Sequence, residues 1–206
     1  MASTESSTER SRDLDRLLTF VDAIAAVAIT LLVLPLVDLA GRIGDDPSVA
    51  HQLHQHSALF WSFALSFAVI ARLWLAQHVL MRSVIQSSQA IVSWLILWTV
   101  AIVFLPFPTA LLPAAGSQAI TKVLYIGTLA LSSICLAFLA LVIKRNPSLH
   151  EPGEPPSPAA GVINALLFLL ALALSLAWPV LSYYPLLLLI GADWLTALWT
   201  RIRHSA

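Results

Sequence analysis

Among the ionisable side chains within or beside the strongly apolar stretches of this 206-residue chain, Arg16, Asp22, Arg72, His78 and Asp193 are the cases that call for explanation. A charge in hydrocarbon costs at least about 2.5–3.5 kcal/mol, so each of them needs a partner or a purpose. Arg16 and Asp22 are six residues apart, too far to be neighbours on one helix face, so they are expected to reach across to another helix. Trp74 and His78 are four apart and share a face. Two kinds of chemistry fit this set. One is a structural polar knot that locks helices together. The other is a gating or proton-sensing network, since a histidine titrates near neutral pH. Arg72 and Asp193 match in depth and form a candidate second pair.

The remaining chemistry-bearing residues offer less. His51, His54 and His56 fall close together, but no cysteine or clear carboxylate accompanies them, so a solvated loop is favoured over a metal site. Cys135 is the sole cysteine and sits in an apolar run, as an inert buried thiol would. The chain contains no phosphate-binding glycine loop, zinc-protease motif, nucleophile elbow or carbonyl-filter sequence of the TVGYG kind. No enzyme, cofactor or resident metal is expected. Net charge is zero, which gives no nucleic-acid footprint.

The elements that must hold these residues are membrane helices. The chain is 59% apolar and 11% charged, and its mean hydropathy is +0.85. Soluble domains lie near 45–50% apolar and about 25% charged, so lipid must cover most of this surface. A span needs roughly 20 apolar residues to cross the hydrocarbon. Six such runs occur, at Leu17–Leu39, Leu59–Leu80, Ile91–Leu112, Ile120–Ile143, Gly161–Trp178 and Tyr183–Thr200. An all-α integral membrane protein is therefore expected. Residues 1–15 form a polar tail, expected to be frayed or disordered, and residues 16–206 form the membrane domain. The stretch 146–160 is a Pro-rich linker.

Arg10, Arg12, Arg16, Arg82, Lys144, Arg145, Arg201 and Arg203 gather on one side of this arrangement. The positive-inside rule puts that side, both termini and the linker in the cytosol. Arg16, Asp22, Arg72, His78 and Asp193 then all lie in the cytosolic half of the membrane.

The first span has a pattern of its own. Val27, Thr30, Leu31 and Leu34 recur at helical spacing, an apolar stripe with one hydroxyl, among the small residues Ala23, Ala25, Ala26 and Ala28. Periodicity alone favours ordinary helix packing over a pore lining. Pro35 is placed to kink the helix near its outer end.

Three motifs in order point further. The first span carries Arg16, Phe20 and Asp22 in the spacing of the R-x-x-x-F-S-D signature, the second carries Ser66-Phe67 and Trp74-x-x-x-His78, and the third carries Leu105-Pro106-Phe107-Pro108-Thr109. This resembles the transmembrane-protein-175 family of potassium channels in its short bacterial form. The resemblance covers the first three spans; the last three agree in number and hydropathy. Val21 stands where the family usually has Ser, and Ala23 where bacterial relatives often have Gly. The resemblance implies a homotetramer in the bacterial plasma membrane, with the first span of each subunit lining a central pore. It implies an apolar constriction at Val27, a hydroxyl at Thr30 and a further apolar ring at Leu34, with Leu31 beside them. It implies that Arg16, Phe20, Asp22, Trp74 and His78 form a structural or gating network. The expected partners are further copies of the chain, membrane lipid and the permeant potassium ion. Val in place of a larger aliphatic residue would widen the constriction and weaken selectivity. The alternatives are a small secondary or proton-coupled transporter and a non-conducting structural membrane protein.

Overall fold

A computed structural model of the chain describes residues 2–43, 49–153 and 155–177, with side chains from residue 12 onward except 42 and 43. The described chain is helical apart from one isolated antiparallel bridge. Its helices are α1 (Ala2–Leu31), α2 (Leu34–Ile43), α3 (Val49–Gln55), α4 (Ser57–Met81), α5 (Gln89–Phe104), α6 (Pro106–Ala115), α7 (Ala119–Arg145) and α8 (Ala159–Ala177). Five stretches are long and apolar enough to cross a membrane: Arg12–Gly41, Ser57–Met81, Gln89–Ala115, Ala119–Arg145 and Ala159–Ala177. They correspond to the first five expected spans. The sixth, Tyr183–Thr200, lies outside the described residues, as does Asp193.

Two breaks follow from proline. Pro35 has no N–H to donate, and its ring clashes with the carbonyl four residues back, which is that of Leu31. α1 ends at Leu31, the next two amides tighten to i−3 bonds (Leu32 N to Ile29 O, 3.3 Å; Val33 N to Thr30 O, 3.2 Å), and α2 restarts with Pro35 in its first turn. The expected kink is thus a full break. Pro106 acts likewise on Ile102, and Leu105 N donates to Ile102 O at 3.2 Å where α5 gives way to α6.

The expectation of a disordered tail is corrected: α1 begins at Ala2. Residues 2–31 contain neither Gly nor Pro, so nothing local stops the helix from running back out of the apolar span. The linker is also tied down more firmly than a spacer. Its start forms a 3-10 turn at Pro147–Leu149, and Val84 pairs with His150 in the isolated bridge. Ile85 N donates to Leu149 O and Glu151 N to Ser83 O, each at 2.9 Å. Val84 and Leu149 are buried beneath this clip, which gives it an apolar reason to form.

α7 is the central helix. Its most apolar window is 61% buried, against 22% in the spans containing α1, α4 and α8, and it packs chiefly on α8 and α5. Small residues permit the close approach to α8: a Cβ on Gly161 would lie 2.7 Å from the backbone nitrogen of Ala137. Lys144 and Arg145 occupy the last turn of α7, where cations oppose the negative end of the helix dipole.

Candidate functional site

α1 has two unlike faces. Leu14, Val21, Ala25 and Ala28 are buried against the protomer, and Leu32, just past the helix end, continues the row. The other face is open: Phe20 is 58% exposed, Val27 58%, Leu31 39% and Leu34 51%, with Ala23 and Thr30 exposed between them. Val27, Thr30 and Leu31 share this face of α1, whereas Leu34 lies beyond the proline break as the first residue of α2. The stripe expected on one continuous helix is therefore divided between two. Thr30 Oγ1 donates to the carbonyl of Val27 at 2.7 Å, so that hydroxyl is already engaged one turn before the break.

Val21 is 1% exposed and belongs to the apolar core. A serine there would present its hydroxyl to that core, so the valine exchanges a polar group needing a partner for a packed methyl pair.

Three of the expected network residues meet. Trp74 Nε1 donates to Asp22 Oδ1 at 2.8 Å, joining α4 to α1 across the protomer. The Trp74 and His78 rings stack one turn apart, with centroids 5.6 Å apart and planes inclined at 30°. Phe20 is not among them, because it points out with the open stripe. Nor is Arg16, which is exposed and lines a shallow cleft with Arg12, Asp13 and Asp15. Its distance along α1 explains this: six residues raise it about 9 Å from Asp22, beyond the level of Trp74. Arg72 is half-buried on α4.

A second polar junction escaped the reading of charges because it contains none. Ser66 on α4, Thr109 on α6 and Tyr125 on α7 are all buried; Ser66 Oγ lies 2.9 Å from Thr109 Oγ1 and 3.0 Å from the Tyr125 hydroxyl. Thr109 also donates to Leu105 O at 2.8 Å, which anchors the start of α6. Ser66 and Thr109 belong to two of the sequence motifs, and that placement was the available signal. Tyr125 gave none.

Lys122 is buried at the start of α7, and its Nζ donates to the carbonyl of Ser175 at 2.8 Å. Four residues on from Ser175 stands Pro179, which has no N–H to donate, so the lysine supplies that carbonyl with a donor. His51 Nε2 lies 2.8 Å from Gln55 Nε2 on α3, and no three His, Cys, Asp or Glu side chains gather as a metal site among the described residues.

The motif residues thus meet pairwise, Asp22 with Trp74 and Ser66 with Thr109. A family model described as the endosomal/lysosomal potassium channel TMEM175 matches residues 16–106, a stretch that contains all of these but Thr109. Over this stretch the chain is similar to the TMEM175 family. A potassium channel of Chamaesiphon minutus is 33% identical over 97 residues, which are 47% of this chain and 48% of that relative. The match spans about half the length of the relative. The fold extends further: the crystal structure of a lysosomal potassium-selective channel TMEM175 homolog from Chamaesiphon minutus superposes with a TM-score of 0.64 at 24% identity, over 95% of this chain and all of that one. The TMEM175 fold therefore reaches well past residue 106, and the chain is a multi-pass membrane protein.

Proposed function

We propose that this protein is a potassium channel made of four copies, each turning the open face of α1 toward a shared axis in a bacterial plasma membrane. The observation that carries this reading is the division of α1. One face is packed against its own protomer, while Phe20, Val27, Thr30, Leu31 and Leu34 are left without cover. Four such faces around an axis give an apolar ring at Val27 and another at Leu34, joined by a ring of threonines. The names of the relatives supply the ion: both are described as potassium channels.

An apolar ring has no carbonyls to replace a hydration shell, so an ion crosses it partly hydrated or sheds water at a cost. Potassium holds its water less tightly than sodium and crosses more readily. Valine is short, so four of them leave a wider ring than longer aliphatic chains, and selectivity is modest. The ring can also close by dewetting. Asp22, Trp74 and His78 hold α1 against α4 behind this lining, and Arg16 stands free near the cytosolic mouth to meet a neighbouring subunit. Arg72 and Asp193 are a further candidate pair. The basic residues place both termini in the cytosol.

The test is the reversal potential of the purified protein in bilayers under potassium–sodium gradients. Val27→Asn is expected to raise conductance and reduce the preference for potassium, and Val27→Phe to block. Leu75, 53% exposed on α4, is the control, and Leu75→Asn is expected to leave both quantities unchanged. Absence of a potassium current from the wild-type protein under every voltage and pH would overturn the channel reading. A selectivity change at Leu75 but not at Val27 would overturn the pore face.

A further inference from the structure

Phe20 belongs to the first-span motif, yet nothing in its own protomer explains it. Its side chain is 58% exposed, and its ring stacks on no other ring among the described residues. Its position on α1 gives it a place. Phe20 lies seven residues before Val27, about 10.5 Å along the helix and only about 20° around it. Asp13, Arg16, Ala23 and Thr30 are exposed within about 60° of the same line. Charged, small and hydroxyl side chains on one line suit water in a pore better than lipid tails. From Val27 toward the N-terminus, Phe20 is the last apolar residue on this line before the charges of Arg16 and Asp13.

The same stretch of helix is gripped from behind. Asp22 stands two residues from Phe20, about 3 Å along α1 and about 160° around it, so it points to the opposite side. Its Oδ1 accepts the 2.8 Å hydrogen bond from Trp74 Nε1, and His78 backs the Trp74 ring. α1 is therefore held against α4 at the level where Phe20 is presented. The motif spacing has a mechanical meaning. One residue anchors the helix, and the residue two before it faces away from the anchor.

We propose that four Phe20 side chains form a second constriction of the channel, an aromatic ring on the cytosolic side of the Val27 ring, and that this ring is a gate. The proposal rests on the pore face assigned above. Phenylalanine is longer and bulkier than valine, so four of its rings turned to the axis close the path. Ions pass when the rings swing aside or the helices stand apart. The space between the two constrictions is lined by Ala23, whose small side chain leaves room for water. An apolar ring shuts by dewetting as well as by contact. Selectivity stays with Val27, and Phe20 decides whether the path is open. Asp22 and Trp74 set how far Phe20 reaches, which makes them positioning residues for the gate.

Single-channel recording of the full-length protein in bilayers, with cross-linking between copies, tests this. Phe20→Ala is expected to raise open probability severalfold and leave the potassium–sodium reversal potential unchanged. Phe20→Trp is expected to lower open probability. Trp74→Phe is expected to change open probability when Phe20 is present and to have no effect on it in Phe20→Ala, a dependence that lost stability alone does not produce. With Cys135→Ala as background, Phe20→Cys is expected to be cross-linked between copies by a bifunctional thiol reagent, whereas Leu75→Cys, at a position 53% exposed on α4, is not. That readout needs no current, so it also serves for a variant that assembles without conducting. Unchanged open probability in Phe20→Ala, or no cross-linking of assembled Phe20→Cys, overturns the ring. If Val27→Asn still shifts the reversal potential, the pore face stands and the ring alone falls. If neither position matters, the pore face falls with it.

Discussion

Asp22 and Trp74 are joined by a single hydrogen bond, and its two ends call for different substitutions. Trp74→Phe keeps a ring against His78 but deletes the donor, leaving the Asp22 carboxylate without its 2.8 Å partner. A bond to a charged group contributes about 1.5–3 kcal/mol, so a loss of that order is expected. Asp22→Asn keeps an oxygen acceptor and should cost less than Asp22→Ala. Denaturant titration in detergent measures each, and a double-mutant cycle isolates the coupling. Additive effects of Trp74→Phe and Asp22→Ala would mean that the bond carries no stability. Arg16→Ala is expected to leave subunit stability unchanged, since the side chain is exposed in the protomer, and to weaken assembly if a neighbouring subunit covers it. Comparing subunit unfolding with the oligomer fraction on size exclusion separates these effects.

Helix pairs carry the next set of consequences. Gly161 seats α8 on α7, and Gly161→Leu drives a branched side chain into the backbone at Ala137, where there is no flexible end to yield. Overpacking of this kind costs about 1–3 kcal/mol. The expected result is a lowered thermal midpoint, with Gly161→Ala intermediate. An unchanged midpoint for Gly161→Leu would mean that the two helices separate freely. Pro35 offers the opposite experiment. Pro35→Ala removes the clash that ends α1 at Leu31 and restores an amide donor, so α1 and α2 are expected to fuse. Fusion rotates Leu34 relative to Val27. Accessibility of a cysteine at position 34 to a thiol reagent should change, while that at position 27 should not.

For the whole molecule, the basic-residue asymmetry and the six spans expected from the sequence predict both termini on one side. Tags at Met1, Gly153 and Ala206 are expected to be cytosolic and a tag at Asp45 external. An external tag at Gly153 would overturn the helix count, because Gly153 lies in the connection between α7 and α8. Native mass spectrometry from detergent is expected to give four copies; a monomer would leave the apolar face of α1 exposed with nothing to cover it.

The sequence by itself determined the solvent and the five spans that the structure describes, and it predicts their direction. These depend on runs of roughly 20 apolar residues and on where Arg and Lys fall, both local properties of the chain. It also carried the motifs, and with them the pairing of Trp74 with His78, which needs only i,i+4 geometry. Only the tertiary structure decided which distant residues meet. Arg16 and Asp22 read alike as membrane charges, yet one reaches Trp74 and the other stands in the open, because the crossing of α1 and α4 sets a single level of contact. Val21 and Val27 are the same residue type on the same helix, one buried and one exposed, and composition cannot separate them. The uncharged junction of Ser66, Thr109 and Tyr125 was invisible for the same reason. A hydroxyl in an apolar run fits a helix anywhere, and it acquires a role only when packing brings two others within 3.0 Å of it.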